Sequence, residues 1–214
     1  MDQDIEIINA ETRKEKIKNI FIENKKLIIS IIIILILGLI SFFGYQSYKS
    51  GHREQLANKY NSALNNYENG DKAKIILSMK EIIEDKDKAY SPLALYFLID
   101  KDFDLSREEI NKYFDIIINE INLDKEIKNL NIYKKALYNS EFASEDEMLT
   151  ILKPIINEDS VWKSHALFLI GEYFYIRDEK KKSKEFFEKI ISLSESNVNI
   201  RIEAEKRIRR DLSE

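Results

Sequence analysis

Cysteine is absent from the 214-residue chain. No disulfide, thiolate metal site or thiol nucleophile can therefore exist. Glycine (5) and proline (2) are scarce, which disfavours turn-rich β architecture; the glycines stand singly, so no glycine-rich loop cradles a phosphate. The two histidines, His52 and His165, are far apart and have no second His or Cys at ligand spacing, which argues against a zinc site. Asp100, Asp102 and Asp104 alternate, but Phe103 and Leu105 lie where a calcium loop would need its central glycine, so this run reads as a solvated helix–helix turn. The serines have no base at a recognisable spacing. A basic excess is missing too: 34 Lys and Arg face 38 Asp and Glu, net charge −4, so no positive field holds nucleic-acid phosphates. These absences point to a non-enzymatic binding protein without metal or cofactor.

What the chain does have is one long apolar run, Leu27 to Tyr48, with Lys25 and Lys26 before it, Lys49 after it and no charge inside. As a helix its 22 residues measure about 33 Å, enough for a hydrocarbon core of about 30 Å. In lipid every backbone amide must bond within its own segment, which overrides the middling helix propensity of isoleucine. The run is longer than the core of a cleaved signal, and the bulky residues from Ile40 to Tyr45 offer no small-residue cleavage site, so it reads as an uncleaved anchor. Phe42, Phe43, Tyr45 and Tyr48 gather at one end, where amphipathic rings favour the interface. Gly38, Ser41 and Gly44 add a small-residue face of the kind that docks spans, although such placement arises readily by chance.

Residues 1–26 form a polar tail, 27–48 the transmembrane anchor and 49–214 one folded domain of ordinary size. The mild Lys/Arg bias of the tail predicts a cytoplasmic N-terminus and a domain across the membrane. Ile17, Ile20, Phe21 and Leu27 can make a short amphipathic face on the membrane, or the tail is simply solvated.

Beyond the anchor the signal is repetition. Glu81-Ile82-Ile83-Glu84, Ile116-Ile117-Ile118-Asn119, Pro154-Ile155-Ile156-Asn157 and Lys189-Ile190-Ile191-Ser192 recur near the period of a helix pair. Four residues before each second Ile stand Met79, Phe114, Leu152 and Phe187, and four before those Ile75, Ile110, Met148 and Ser183. This is an i, i+4, i+8 stripe repeated four times, each copy the second helix of a hairpin. Turn and cap residues set boundaries: Asn69-Gly70-Asp71 breaks the first hairpin, Ser91-Pro92 reads as an N-cap with proline first in the helix, and Asp124 caps another. Ser106 with Glu109, and Ser144 with Glu147, have capping-box spacing. The helices predicted after the anchor are 54–68, 71–86, 91–101, 106–121, 125–140, 145–157 (bent or ended by Pro154), 161–177, 180–194 and 198–211.

From Trp162 to Glu195 the residues Ser164-His165-Ala166-Leu167-Phe168-Leu169-Ile170-Gly171-Glu172-Tyr173-Phe174, followed by Ser183, Phe187 and Ile190, resemble one tetratricopeptide repeat. Leu167, Ile170, Gly171, Phe174, Ser183, Phe187 and Ile190 are its packing positions, and Ala63, Ala94 and Ala136 take the place of Gly171 in the earlier units. Ser183 replaces the usual alanine, Ile190 is larger than the pattern asks, and Glu195 stands where proline is common. The fold class that follows is all-α: one transmembrane helix, then a tetratricopeptide-repeat-like α-solenoid of about four hairpins and a C-terminal capping helix on which Ile200, Ala204, Ile208 and Leu212 form the apolar face. The resemblance also implies a concave surface lined by first helices, carried here by His165, Phe168, Glu172 and Tyr175. Aromatic residues there suit an extended or helical peptide, unless Phe168 and Tyr175 simply pack against the last helix.

The whole layout is similar to the YfgM-type ancillary subunit of the SecYEG translocon in its α-proteobacterial form. It comprises the tail ending Ile20-Phe21-Ile22-Glu23-Asn24-Lys25-Lys26, one anchor, and divergent repeats with Leu152-Lys153-Pro154-Ile155, Trp162-Lys163 and Ala166-Leu167. The likeness implies a single-pass inner-membrane protein with a periplasmic domain. Its implied partners are translocon subunits, a membrane-anchored periplasmic chaperone and exported clients. The alternative is a structural adaptor organising another envelope complex for outer-membrane assembly, secretion or division.

Overall fold

The computed structural model describes Lys18, Ile22 and residues 24–212. The cytoplasmic-tail expectation, with Ile17, Ile20 and Phe21, lies outside the described residues. Nine helices and no strand appear among the described residues: α1 Lys25–Asn65, α2 Lys72–Glu84, α3 Tyr90–Asp100, α4 Arg107–Glu120, α5 Lys125–Asn139, α6 Glu145–Asn157, α7 Lys163–Ile176, α8 Lys180–Ser192 and α9 Val198–Asp211. The chain divides into two compact units, Met1–Gln55 and Leu56–Glu214.

In the first unit every residue from Ile29 to Gln55 is exposed, including the apolar ones that run all round the helix. A core helix would hide such a surface, so this stretch of α1 is a candidate membrane span. Gly38, Gly44 and Gly51 face open space. The predicted separate helix at 54–68 does not exist, because α1 continues unbroken through it to Asn65. Ending a helix at Tyr48 would orphan backbone groups. Continuing it costs only the presence of Gly51, about 1 kcal/mol, among the helix-compatible Lys49, His52, Arg53, Glu54 and Gln55.

The second unit begins where Leu56 and Ala63 turn inward. Successive hairpins follow: the end of α1 with α2, then α3 with α4, α5 with α6, and α7 with α8, all closed by α9. Each second helix buries the same positions. Ile75, Ile110, Met148 and Ser183 are buried, as are Met79, Phe114, Leu152 and Phe187 one turn on. The i+7 isoleucines Ile82, Ile117, Ile155 and Ile190 are all 0% exposed, and the expected i+8 positions grade outward along the chain: Ile83 and Ile118 are buried, Ile156 is half-buried and Ile191 is 37% exposed. At about 100° per residue, i+7 lies some 20° from i and i+8 about 80° away, so the earlier isoleucine of each pair faces the core. On the first helices the small positions Ala63, Ala94, Ala136 and Gly171 are all buried, and Ala204 of α9 continues the series.

The caps differ from expectation in instructive ways. Asp71 caps α2 by accepting from the Ala73 amide (2.9 Å). Ser91 does not cap α3. Ala89 holds the N-cap position, Asp87 before it accepts from the Ala89 and Tyr90 amides (2.8 and 2.9 Å), and the buried Ser91 hydroxyl donates to the Ile82 carbonyl of α2 (2.8 Å). Asp124 holds the N-cap position of α5 without a side-chain bond. Ser106 and Ser144 accept from the Glu109 and Glu147 amides (3.2 and 3.3 Å), but neither box closes reciprocally because both carboxylates reach other helices. Pro154 sits inside α6, which runs on to Asn157. At the ends of α3 and α7 the chain turns left-handed on Asp102 (φ 48°) and Asp178 (φ 60°). Each end is sealed by a six-to-one bond, Phe103 N–H to the Leu98 carbonyl (3.4 Å) and Glu179 N–H to the Phe174 carbonyl (2.9 Å).

Candidate functional site

Neighbouring helices of the second unit meet through two different chemistries. The second helices α2, α4, α6 and α8 are laced by ion pairs: Lys80 to Glu109 (2.6 Å), Lys86 to Glu120 (2.7 Å), Arg107 to Glu147 (2.5 Å) and Lys182 to Glu145 (2.7 Å). The Lys80 ammonium holds the Glu109 carboxyl below its ordinary range, more strongly than burial and the Tyr113 hydroxyl act on it. Pairs this exposed contribute at most about 1 kcal/mol each, so they align helices more than they stabilise them. Beneath them Asn139, fully buried on α5, accepts from Arg107 Nε (2.8 Å) and Asn111 Nδ2 (3.0 Å) and donates to Asn111 Oδ1 and the Lys135 carbonyl (both 2.8 Å). All its polar capacity is used, and the bonds tie α4 to α5.

The first helices meet through aromatic rings instead. Tyr60 of α1 lies 5.9 Å from Tyr90, which opens α3. Tyr96 of α3 has the Lys134 ammonium of α5 above its ring at 3.5 Å and donates its hydroxyl to Asn131 (2.6 Å). Burial raises the Tyr96 pKa and lowers that of Lys134. Tyr133 of α5 stacks on Trp162 (5.7 Å) and meets the His165 ring edge-on (6.2 Å), while Trp162 and His165 are 5.2 Å apart. The junction of α7 with α9 repeats the pattern, since the Arg207 guanidinium lies 5.0 Å from the Tyr175 ring. Helix α9 therefore packs as a fifth first-type helix.

The four predicted groove residues are all half-buried on α7, and the structure separates them. His165 joins the aromatic cluster with Trp162 and Tyr133. Burial there lowers its pKa, outweighing the raising effect of the Val161 carbonyl. Phe168 and Tyr175 pack into the cluster of Leu167, Phe187, Ile190, Ala204 and Leu212, with Phe168 5.3 Å from Phe187. Glu172 accepts from Arg207 Nη2 at 2.6 Å. Three of the four thus lie under α9, and only His165 belongs to the surface shared with α5. Leu167, Ile170, Gly171, Phe174, Ser183, Phe187 and Ile190 are all buried.

Sequence reasoning missed Tyr96, Tyr133, Lys134 and Trp162 as members of this surface. Their signal was aromatic residues recurring on consecutive first helices, masked because their spacing differs from unit to unit. Among the described residues no group of three or more His, Asp or Glu is placed to hold a metal ion. A cavity of about 520 Å³ lies among Arg107, Asn111, Lys135, Glu147 and Thr150, where opposed charges already satisfy one another.

A family model described as a tetratricopeptide repeat-like domain matches residues 18–107. The match covers the candidate span and the helices through α3, not the Trp162–Glu195 stretch whose pattern is plainest. No curated protein matches, and no solved structure does.

Proposed function

We propose that this chain is a non-enzymatic, membrane-anchored scaffold whose repeat domain binds proteins at the periplasmic face of the inner membrane. In this reading residues 1–26 are cytoplasmic, 27–48 span the membrane, and 49–214 lie in the periplasm. The scaffold serves as an ancillary translocon subunit linking secretion to a membrane-anchored chaperone and to exported clients. The observation that carries it is the combination of a wholly exposed apolar helix with tetratricopeptide-like hairpins whose first helices present aromatic rings in series. Helical-repeat surfaces of this kind recognise peptides and helices through rows of anchors rather than through a reacting centre. Tyr96, Tyr133, Trp162 and His165 are the contacts a client meets first, half-buried and ready to lose their remaining water.

Photocrosslinking from Trp162 in intact membranes tests this. Recovery of translocon subunits or of the chaperone is the expected result. Their consistent absence, with recovery of assembly or division components instead, replaces the reading by a structural adaptor. Orientation is tested separately by a tag after Glu214, which external protease should remove from spheroplasts. Protection of that tag places the domain inside.

A further inference from the structure

Along the row of first helices a cation recurs over a tyrosine ring supplied by an earlier helix. Lys101, just past α3, lies 5.2 Å from the ring of Tyr67, just past α1; Lys134 of α5 lies 3.5 Å from Tyr96 of α3; and Arg207 of α9 lies 5.0 Å from Tyr175 of α7. Two of these cations have carboxylates of their own. Asp100 stands 3.3 Å from the Lys101 ammonium, and Glu172 and Asp211 hold Arg207 at 2.6 and 3.0 Å. Lys134 has no ion pair among the described residues. Its neighbour Lys135 points elsewhere, to Asp115 of α4 (2.7 Å). Burial lowers the Lys134 pKa, whereas the Glu145 and Glu179 carboxylates raise that of Lys182. A ring face replaces only part of the hydration that a half-buried ammonium gives up, so Lys134 keeps an attraction for an anion that Lys101 and Arg207 have already satisfied.

The floor beside that ammonium is closed and its surroundings are apolar. Tyr96 donates to Asn131 Oδ1 (2.6 Å), and Asn131 Nδ2 donates to the Ile127 carbonyl (2.8 Å), so neither side chain is left asking for a ligand. Leu93, one turn before Tyr96, is exposed, and so are Ile127 and Leu137, two turns before and one turn after Lys134. Residues at i+3 and i+7 share a helix face, which sets Ile127 about 10 Å and Leu137 about 5 Å along α5 from the cation. A single charge among uncovered apolar residues is complementary to a carboxylate flanked by apolar side chains. It does not suit an acidic run, which would press charge against Leu93, Ile127 and Leu137.

We propose that the surface shared by α3 and α5 binds an extended peptide segment through one carboxylate, which Lys134 receives, with apolar side chains of the segment covering Ile127 and Leu137. At about 3.3 Å per residue, an apolar side chain three positions from the carboxylate reaches Ile127, and one or two positions away on the other side reaches Leu137. The carboxylate belongs to an acidic side chain or to a chain terminus, since an ammonium accepts either. This proposal rests on the protein-binding reading above and names what that part of the row selects.

The test uses the full chain in detergent micelles and the anisotropy of fluorescein-labelled peptides. The first pair is Gly-Ser-Leu-Gly-Ser-Asp-Leu-Ser-Gly amide and the same peptide with Asn for Asp. The second pair ends in Leu-Gly-Ser-Gly, once as the free acid and once as the amide, which separates a terminus from a side chain. In at least one pair the acidic member is expected to bind about tenfold more tightly than its neutral twin, the advantage of a charge-assisted hydrogen bond. Lys134→Met should erase that preference and Lys134→Arg keep it, while Lys101→Met, whose cation Asp100 already pairs, should leave it intact. Circular dichroism checks that each variant keeps the parental helix content, and Lys134→Gln stands in for a Met variant that does not. Acidic and neutral twins that bind alike in both pairs, or that both fail to bind at about 1 mM, overturn the proposal. So does a preference that survives Lys134→Met, or one that Lys101→Met removes equally, which makes it an effect of net charge. The membrane crosslinking decides the scaffold reading separately: a chain that recovers partners there but shows no preference here remains a scaffold without this carboxylate site.

Discussion

Gly171 sets two opposing effects against each other, and their sum is predictable. Replacing a helix-interior glycine by alanine favours the helix by about 1 kcal/mol through backbone entropy. Here the added Cβ would lie 2.6 Å from Phe187 Cε1 and 2.9 Å from two further ring atoms. Carbon atoms rest at about 3.5–4.0 Å, so the ring must retreat by about 1 Å. It has nowhere to go: Phe187 is fully buried, and the Phe168 ring stands 5.3 Å away. Overpacking of this kind costs about 1–3 kcal/mol. The net expectation for Gly171→Ala is a loss of about 1 kcal/mol, a fall in melting temperature of roughly 2–4 °C by circular dichroism of the full chain in detergent. Gly171→Leu should lose clearly more. Phe187→Leu is the control: alone it destabilises by leaving a cavity, but beside Gly171→Ala it gives the new methyl room, so the double variant should lose less than the two singles together by at least about 0.5 kcal/mol. A Gly171→Ala chain that melts higher than the parent refutes the close approach of α7 and α8 on which the repeat register rests.

Ser183→Ala should raise stability by about 1 kcal/mol in urea unfolding, because the fully buried Ser183 hydroxyl finds no partner and alanine removes a desolvated group. Asn139→Ala should lower it by about 2–3 kcal/mol in the same assay, since Arg107 Nε and Asn111 both lose their buried partner. His165, whose pKa burial lowers from its ordinary 6.5, is held neutral in the fold more readily than in the unfolded chain. Stability should therefore be unaffected above about pH 7 and decline as pH falls through 6.5, and His165→Gln should flatten that dependence of the melting temperature. Asp211, held down to about 2 by Arg210 first and then Arg207, contributes above its ordinary value near 3.8 and loses that contribution as pH falls toward 2. Tyr175 fluorescence should report α9 loosening in that window and not at pH 5.

The hairpin order was legible because four isoleucine pairs fall at a helix-pair period, a signal that needs no alignment. The exact face was not. A stripe counted in steps of four chose Ile83, Ile118, Ile156 and Ile191; the first two are buried, but helical pitch centres the face on their predecessors, so Ile156 is half-buried and Ile191 exposed. Cap signals were read correctly where the serine did one job, as at Ser106 and Ser144. They misled where tertiary contacts claimed the side chain: Ser91 serves α2, and Glu109 and Glu147 serve Lys80 and Arg107. The four groove residues share a helical face as their spacing requires, but spacing on one helix cannot say what lies over it. That depended on Arg207, some 35 positions away, finding Glu172. The continuity of α1 past Tyr48 was missed because a change in polarity is not a change in backbone conformation.

The left-handed Asp102 and Asp178 leave the molecule with spare capacity for change. An L-residue in that conformation costs roughly 1 kcal/mol that glycine does not. Both sit at helix ends away from the aromatic row, so Asp102→Gly and Asp178→Gly are a reserve on which a lineage, or an engineer, can draw to offset a costly substitution at Tyr96, Trp162 or Glu172. The aromatic row can thus change without the fold falling below the stability it needs.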